Sequence, residues 1–437
     1  MNLYLPIEIL NREFQSKLLI AMESASKGMN VYMGNLISYL KRDFFVPGII
    51  LNKSITPSPT RIEELTYFRN KKFIITSLDE EVGLFQLDSL DYVKLRYSEE
   101  TIKLTDKIFT WGKYDQKNLS QRFRKYKKKF ILSGNPRLDF WTNKLDFYFK
   151  NKNFKLKNFI LFSNNFGFLF SKEKFKKVLY FIKKANYPQR GYDEKKILRE
   201  RKTSIKLFKE FTKLIKALVK KTDLKIIVRP HPTENLNNYK FLNKFKNVAI
   251  IKEGNISEWI YNSKIVIHSG CTGGLEASIR GKPTISYIPL NAVHGHTYAN
   301  KYSLKINSLR KCLKMIEKIE KNKIKIQKIN LKDIRYRAHN FLSKKNSYSI
   351  IAEEFVNLIK SKRIYFKNND MFLNLRFKLR DLRSKILKKK YGNKKFSTFN
   401  EKYTLEMFEI FKKLNPKYNN LKIYFIKKNI ILIKKII

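Results

Sequence analysis

The sequence has almost no cysteine and no long apolar run. Its 437 residues include only Cys271 and Cys312, which excludes a disulfide-stapled scaffold and a zinc site made of cysteines alone. No stretch of 18 consecutive apolar residues occurs, so no transmembrane helix is expected. The opening MNLYLPIEILNREF has no basic run before a long apolar segment and is not typical of a secretory signal. These absences predict a soluble, cytoplasmic protein.

Acidic residues are also scarce. The chain has 37 Asp and Glu against 93 Lys and Arg, a formal net charge of +56. Such a charge favours binding to nucleic acid or to the anionic cytoplasmic face of a membrane. However, only 20 of the basic residues are arginine, the residue that makes forked contacts with phosphates and bases. The abundance of Lys, Asn, Ile, Phe and Tyr indicates an A/T-rich gene, so we interpret most lysines as solvated surface residues.

Several catalytic motifs are missing. The sequence contains no GxSxG, DxD, HExxH or CxxC. These absences disfavour a serine hydrolase with a nucleophile elbow and a transferase that holds its nucleotide through a metal-binding DxD pair. We therefore expect neither a metal nor a cofactor.

Strands and helices alternate along the first 360 residues. NLYLPIEI (2–9) and MNVYMG (29–34) are typical of buried strands, and the helical pattern between them ends at Gly28. This βαβ opening requires a parallel sheet. The alternation restarts at residue 159, after a lysine- and asparagine-rich linker. We predict an α/β protein with two Rossmann-like domains facing across a cleft, at residues 1–150 and 155–330.

The C-terminal part is predicted to be helical. Residues 331–362 form a helical return segment and 363–437 a basic helical extension. Residues 361–437 carry 22 basic and 5 acidic side chains, and MFLNLRFKLRDLRSKILKKK and NLKIYFIKKNIILIKKII mix apolar with basic positions. Two interpretations stay open: an amphipathic appendage on a membrane surface, or an ordinary helical subdomain packed on its neighbours.

Two polar segments follow apolar strands in the second half. RPHP (229–232) follows IIV, and HSGCTGGLEA (268–277) follows KIVI. Ligands of open parallel sheets bind beyond the carboxyl ends of the strands, so we expect these two loops to leave neighbouring strands and form one pocket. Glycines before a helix, hydroxyls and basic side chains suit an anionic nucleotide tail. The predicted nucleotide-binding residues, which become the donor-binding residues if the protein is a transferase, are Arg229, His231, His268, Ser269, Gly270, Thr272, Gly273, Gly274 and Glu276. The alternative is a satisfied loop histidine and a tight turn.

Clustered acids follow a strand of the first half. Asp79, Glu80 and Glu81 come after FIITSL, and we predict that they supply the catalytic carboxylate. Adjacent carboxylates are expected to raise one another's pKa; the alternative is a helix start stocked with acids.

Two further sets of polar residues occupy loops. Those in the first β-to-α loop are predicted to contact a substrate, against the alternative of a plain helix start; they are Glu8, Arg12 and Glu13. His294 and His296 could border the cleft, although such a loop pair is more often incidental.

Six segments together carry a family resemblance. They are LPIEILNREFQSKLLIA, DEEVG (79–83), WG (111–112), SGNPRLD (133–139), RPHP and HSGCTGGLEASIRGKPTISY (268–287). They resemble bacterial surface carbohydrate biosynthesis proteins, a family that looks like a branch of the GT-B glycosyltransferases. It is distantly similar to CDP-glycerol glycerophosphotransferases and UDP-N-acetylglucosamine 2-epimerases. The resemblance covers about residues 1–360. It implies a GT-B fold in which residues 1–150, with Glu8, Arg12 and Glu13, form the acceptor side and residues 155–330 bind the nucleotide-sugar donor.

RPHP followed by the HSGCT turn is also similar to motifs of sialyl-, polysialyl- and Kdo-transferases, which use CMP-activated acidic sugars. This resemblance implies that His231 contacts the nucleotide phosphate, supported by Ser269 and Thr272. It implies transfer of a sugar from a nucleotide donor, CMP-linked by preference or UDP-linked, to a lipid-linked glycan of O-antigen or capsule, with possible peripheral contact with the anionic inner membrane.

Other functions stay open. A sugar-nucleotide 2-epimerase or a CDP-polyol phosphotransferase would use the same fold. From a different class, a basic nucleic-acid-binding protein would bind oligonucleotides with a steep salt dependence that survives loss of His231.

Overall fold

The computed structural model describes residues 1–81, 90–164, 166, 172–184, 194–231, 234–290, 298–324, 330–362, 373, 375–377, 379 and 398–436. These residues form two compact units. Unit 1 comprises the described residues of Met1–Gly83, Leu90–Asn151 and Asp333–Ile437, and unit 2 those of Lys152–Lys332.

The strands are β1 Asn2–Pro6, β2 Asn30–Gly34, β3 Ile49–Asn52, β4 Ile74–Leu78, β5 Lys107–Thr110, β6 Phe130–Leu132, β7 Ile160–Ser163, β8 Ile226–Arg229, β9 Val248–Ile250, β10 Ile265–His268, β11 Thr284–Tyr287, β12 Leu304–Ile306, β13 Leu421–Lys427 and β14 Ile430–Lys435. The helices are α1 Leu10–Ser26, α2 Ile37–Leu40, α3 Pro59–Asn70, α4 Leu90–Arg96, α5 Glu99–Leu104, α6 Lys113–Arg122, α7 Pro136–Asp139, α8 Asp146–Asn151, α9 Lys172–Lys184, α10 Glu194–Val219, α11 Ile256–Asn262, α12 Thr272–Ile279, α13 Tyr298–Lys301, α14 Leu309–Glu320, α15 Lys332–Arg337, α16 Ser347–Lys362 and α17 Glu401–Lys412.

Unit 1 contains an eight-stranded sheet in the order β13-β14-β2-β1-β3-β4-β5-β6. Strands β1 to β6 are parallel, as the βαβ opening requires. Helix α1 makes the crossover from β1 to β2 and ends before Gly28, whose φ of +90° suits the reversal after a helix. One sheet face carries a large aromatic core that includes Tyr4, Tyr32, Phe45 and Phe68.

Unit 2 contains a six-stranded parallel sheet in the order β12-β11-β10-β7-β8-β9. Apolar side chains of the central strands alternate between two cores. Ile160 and Phe162 pack towards α10 on one face, whereas Phe159 and Leu161 pack with Trp259 of α11 on the other. Two-sided burial explains why these strands are nearly continuous apolar runs.

These two sheets confirm the predicted α/β fold class with two Rossmann-like units. In each unit the crossovers between parallel strands place helices against the sheet, and the carboxyl ends of the strands form one edge. That edge carries the loops in which the polar segments of the sequence lie.

The C-terminal extension is helical in part. Helix α17 confirms the prediction over Glu401–Lys412, but a helical prediction for NLKIYFIKKNIILIKKII is wrong. This segment forms the β13–β14 hairpin, and Ile430–Ile433 of β14 pair antiparallel with β2. A run of β-branched isoleucines favours a strand over a helix, and the segment completes the sheet of unit 1.

The other basic stretch of the extension, MFLNLRFKLRDLRSKILKKK, lies mostly outside the described residues. Over the part of the chain that is described, no helix combines the length and apolarity needed to cross a membrane.

Candidate functional site

Three strands of unit 2 end level with one another at the carboxyl edge. Ser163 of β7 is in register with Arg229 of β8, and Phe162 is in register with Ile267 of β10. Because β7 lies between β8 and β10, the two predicted loops do not leave neighbouring strands as we expected. The exit of β7 lies between them.

The β7 exit contacts the loop after β10. The side-chain oxygen of Asn164 accepts a hydrogen bond from the Ser269 N–H at 2.8 Å. The Ser163 hydroxyl lies 3.6 Å from the Cys271 sulfur. A Cβ added at Gly273 would lie 3.0 Å from the same hydroxyl oxygen. The start of α12 is therefore packed directly against the end of β7.

The β7 exit is also joined to the loop after β8. Oε1 of Glu234, a buried side chain, accepts from the backbone N–H groups of Phe166 at 3.0 Å and His231 at 3.1 Å. The Tyr239 hydroxyl donates to Oε2 of the same carboxylate. One buried carboxylate thus connects the two loops.

Neither Asn164 nor Glu234 was among the predicted site residues. A signal was present for Asn164, because FILFSNN (159–165) is an apolar strand followed by polar residues, like RPHP and HSGCT. Nothing in the local pattern singles out Glu234, whose role depends on the approach of the β7 exit.

Arg229 is buried and contacts the loop that follows β9. Its guanidinium donates to the carbonyl oxygens of Glu253 and Gly254 and lies 5.0 Å from the centre of the Trp259 ring. These contacts hold the loop between β9 and α11. The contact between Arg229 and a donor phosphate stays a prediction to which these contacts add no support.

His268 lies in the interior of unit 2. Its side chain is fully buried; Nδ1 accepts from the Gly270 N–H at 3.1 Å, and Nε2 lies 2.9 Å from the Ser303 hydroxyl. Burial lowers its pKa to about 3, so the imidazole is neutral. Because Nδ1 accepts a hydrogen bond, the ring proton is on Nε2. Instead of presenting its ring to a ligand, His268 stabilises the turn at Gly270, where φ is +78°.

The glycine pair has a structural reason as well. A Cβ at Gly274 would lie 2.2 Å from Cδ2 of His268, so only glycine fits against the buried ring. Glu276 is 1 % exposed and also lies inside the unit. Three of the predicted donor-binding residues are therefore buried in the interior of unit 2: His268, Gly274 and Glu276.

Four other predicted donor residues form the turn at the start of α12: Ser269, Gly270 and Thr272 are half-buried, and Gly273 is buried. His231, also half-buried, lies in the loop after β8. The Ser269 hydroxyl is shielded from solvent and has no hydrogen-bond partner in the described part of the chain. The N-terminal amides of a helix and a hydroxyl donor suit an anionic group. Burial raises the pKa of the neighbouring Cys271 thiol, so it is not a reactive thiolate.

In unit 1, Asp79 forms a two-pronged ion pair at the carboxyl end of β4. Its carboxylate oxygens accept from Nε and Nη2 of Arg96, each at 2.8 Å. Oδ1 also accepts from the Glu81 N–H, and its backbone oxygen accepts from the Trp111 indole. The carboxylate is buried and already paired, which indicates an anchoring role.

The next two acids differ in exposure. Glu80 is 5 % exposed, and Arg137 donates to its backbone oxygen at 3.1 Å. The Glu81 side chain is 42 % exposed and lies 3.6 Å from both Arg12 and Arg96. Burial would raise the pKa of Glu81, but Arg96, Arg12 and Lys53 outweigh it and lower the pKa. The expectation that adjacent acids raise its pKa is wrong, because arginines surround it.

The first β-to-α loop is held by Glu13. Its fully buried carboxylate accepts from the Ile9 N–H at 3.0 Å and from Lys17 at 2.8 Å. Burial opposes ionisation, but Lys17 and Arg12 lower the pKa of Glu13. These contacts fit the plain helix start for Glu13.

Arg12 and Glu8 lie closer to the other charged groups of this edge. Arg12 faces Glu81, and Glu8 forms an ion pair with Lys53. His294 and His296 lie outside the described residues.

Two motifs of the family resemblance hold the return segment. In SGNPRLD, the Asp139 carboxylate accepts from Asn340 Nδ2 at 2.7 Å and from the Ser347 N–H at 2.9 Å. In WG, a Cβ at Gly112 would lie 2.2 Å from the Arg337 carbonyl carbon. Both motifs therefore have a structural use within unit 1.

Asp115, in the first turn of α6, was not predicted as a site residue. It is 2 % exposed, and neither carboxylate oxygen has a hydrogen-bond partner among the described residues. Burial and the nearby charge of Asp79 raise its pKa to about 7, against the opposing effect of Arg337. In the sequence it resembles an ordinary acid at a helix start, and only burial distinguishes it.

We expect Asp115 to make stability depend on pH. The Asp115 carboxyl has its ordinary pKa of 3.8 in the unfolded chain and a pKa of about 7 in the folded protein. Protonated Asp115 therefore stabilises the folded state relative to the ionised form. This stabilisation is present below pH 4 and is lost as the pH rises through about 7. Between pH 4 and 8 the wild type should lose about 2–4 kcal/mol of unfolding free energy relative to Asp115→Asn. Urea unfolding across this range measures the difference; parallel curves for the two proteins would contradict it.

Comparisons with known proteins reach the same regions. A family model described as a protein of unknown function (DUF354) matches residues 207–334, which include the loops after β8 and β10. No curated protein matches the chain.

Among the described residues, no three His, Cys, Asp or Glu side chains are grouped so as to hold a metal ion.

Solved structures of three enzymes are similar to this chain. UDP-GlcNAc 2-epimerase of Methanocaldococcus jannaschii, with UDP-GlcNAc and UDP, is 12 % identical over 82 % of this chain and 100 % of its own, with a TM-score of 0.48. The Neisseria meningitidis epimerase bound to UDP-GlcNAc is 13 % identical over 83 % and 100 %, with a TM-score of 0.45. The wall teichoic acid polymerase TagF is 13 % identical over 84 % and 90 %, with a TM-score of 0.46.

Proposed function

We propose that the protein is a glycosyltransferase that binds a nucleotide-sugar donor on unit 2. The observation that carries the proposal is that the exits of β7, β8 and β10 are linked to one another at the carboxyl edge of the unit 2 sheet. Asn164 connects the β7 exit to Ser269, and Glu234 connects it to His231. The proposed site would combine helix amides, hydroxyls and a loop histidine at the carboxyl edge of a parallel sheet, groups that suit a nucleotide phosphate.

The favoured donor is a CMP-activated acidic sugar, with a UDP-sugar as the second choice. This preference comes from the resemblance of RPHP and HSGCT to motifs of transferases that use such donors. In the proposed complex His231 contacts the phosphate, and Ser269 and Thr272 donate hydroxyl hydrogen bonds. These donors would stabilise the departing phosphate without a metal.

Unit 1 is proposed to supply the acceptor site and the base. Glu81 is the most exposed of the three predicted acids. Its carboxylate is ionised at neutral pH, as for an ordinary glutamate, and Arg96, Arg12 and Lys53 lower its pKa further. It would accept the proton of the acceptor hydroxyl while the oxygen bonds to the anomeric carbon and the nucleotide phosphate leaves with the bonding electron pair. Asp79 and Glu80 would hold this loop.

The proposed acceptor is a lipid-linked glycan of O-antigen or capsule, elongated at the cytoplasmic face of the inner membrane. The net charge of +56 supports peripheral contact with an anionic leaflet, where each nearby basic residue contributes about 1 kcal/mol.

Nucleotide binding tests the donor site. Isothermal titration with CMP, UDP and CDP should show binding of at least one nucleotide to the full chain, and His231→Ala should weaken it about tenfold, the loss of one charge-assisted contact. His339→Ala, which alters a histidine of unit 1, should leave the affinity unchanged. Binding of none of the three nucleotides to the wild type would contradict the proposal.

Product analysis separates the alternatives. Incubation with a nucleotide sugar that releases a free 2-epimerised sugar would indicate an epimerase, and transfer of a polyol phosphate would indicate a phosphotransferase. Tight, salt-dependent oligonucleotide binding that His231→Ala leaves intact would indicate a nucleic-acid-binding protein.

A further inference from the structure

Glu234 is a buried carboxylate with two kinds of partner. Its Oε1 accepts from backbone N–H groups of two different loops, at Phe166 and His231, while Oε2 accepts from the Tyr239 hydroxyl. The side chain is 4 % exposed. Hydrogen bonds from amides to a buried carboxylate are among the stronger ones in proteins, and the loss of such an acceptor leaves two amides to be solvated or reoriented.

The placement of Glu234 matters because its two amides belong to different strand exits. Phe166 follows β7, and His231 follows β8. The β7 exit also contacts the β10 turn through Asn164 and the Ser269 N–H. Glu234 therefore links the His231 backbone, through the β7 exit, to the Ser269 turn.

We propose that Glu234 is a positioning residue that sets the phosphate-binding geometry of unit 2. This inference rests on the proposed function, since it assumes that His231 and the start of α12 bind the nucleotide phosphate. Glu234 does not contact the ligand; it fixes the loop that does. Replacing Glu234 should therefore weaken binding of the nucleotide phosphate and leave binding of the nucleoside part unchanged.

The test compares a nucleotide with its nucleoside. In the full chain, Glu234→Ala should weaken binding of CMP, or of UDP or CDP if the wild type prefers it, by tenfold or more. Binding of the matching nucleoside should change by less than twofold. Glu234→Gln should stay within about threefold of wild type, because its amide oxygen can still accept both N–H groups and its NH2 can donate to Tyr239.

Two controls separate positioning from general stability. Tyr239→Phe removes the contact at Oε2 but leaves both loop amides bonded, so it should retain the ratio of nucleotide to nucleoside affinity. A purely structural role would lower the folded fraction and the thermal midpoint without changing that ratio.

Three results would count against the inference or its basis. The inference is overturned if Glu234→Ala binds the nucleotide as tightly as the wild type does. It is also overturned if the variant loses affinity for nucleotide and nucleoside equally. If the wild-type protein binds no nucleotide, the proposed function itself fails, a result that is distinct from both.

Discussion

Ile431→Asp should unfold unit 1. Ile431 lies in β14, is fully buried and is in register with Met33 of β2. A carboxylate at this position would lose its water without gaining a partner, at a cost of several kcal/mol. Because domains are stable by only about 5–15 kcal/mol, we expect loss of most of the folded population, measured by circular dichroism and by urea unfolding of the full chain.

Ile436→Asp is the matched control for this prediction. Ile436 follows β14 and is 42 % exposed, so the same change should shift the unfolding free energy by less than about 0.5 kcal/mol. Ile431→Ala should fall between the two, with a loss of about 2–5 kcal/mol. Equal stability of the two aspartate variants would show that the hairpin is an appendage and not part of the sheet.

Gly274→Ala should destabilise unit 2 strongly, although helix propensity predicts the opposite. Inside a helix, replacing glycine by alanine is favourable by about 1 kcal/mol. Here the new Cβ would lie within 2.4 Å of three atoms of the His268 ring, and hydrogen bonds to Ser303 and Gly270 hold that ring in place. Overpacking of this kind costs about 3 kcal/mol, measurable as a lower urea midpoint.

A double-mutant cycle with His268→Ala isolates the cause. If the imidazole is what excludes the methyl group, Gly274→Ala should cost at least about 2 kcal/mol less in the His268→Ala background than in the wild type. Additive losses would instead show that the backbone at residue 274 requires glycine for another reason.

The strand exits could be predicted because apolar runs are local signals. IIV before Arg229 and KIVI before His268 identify buried strands without any tertiary information. The same pattern is present at FILFSNN, yet its place between the other two strands could not be predicted. The order of strands in a sheet depends on how the crossover connections pack. The local sequence at the end of a strand is similar whichever strands lie beside it, so it does not indicate the order.

The direction of side chains was the main limit for the site. His268 has the residue type of a ligand-binding group, but it occupies the interior and is neutral. The Asp79–Glu81 run has the composition of an acid–base site, but Arg96 pairs with Asp79 and lowers the pKa of Glu81, so only Glu81 is still proposed as the base. Both outcomes depend on residues distant in sequence that supply burial or charge.

The sequence by itself determined the α/β class, the parallel sheets and the loops that carry polar residues, because hydrophobic periodicity and turn residues act over a few positions. Only the tertiary structure decided that the C-terminal hairpin completes the first sheet, that β7 separates β8 from β10, and that Glu234 connects two loops. Those features are set by burial and pairing between segments far apart in the chain, and no local pattern encodes which distant partner will be there.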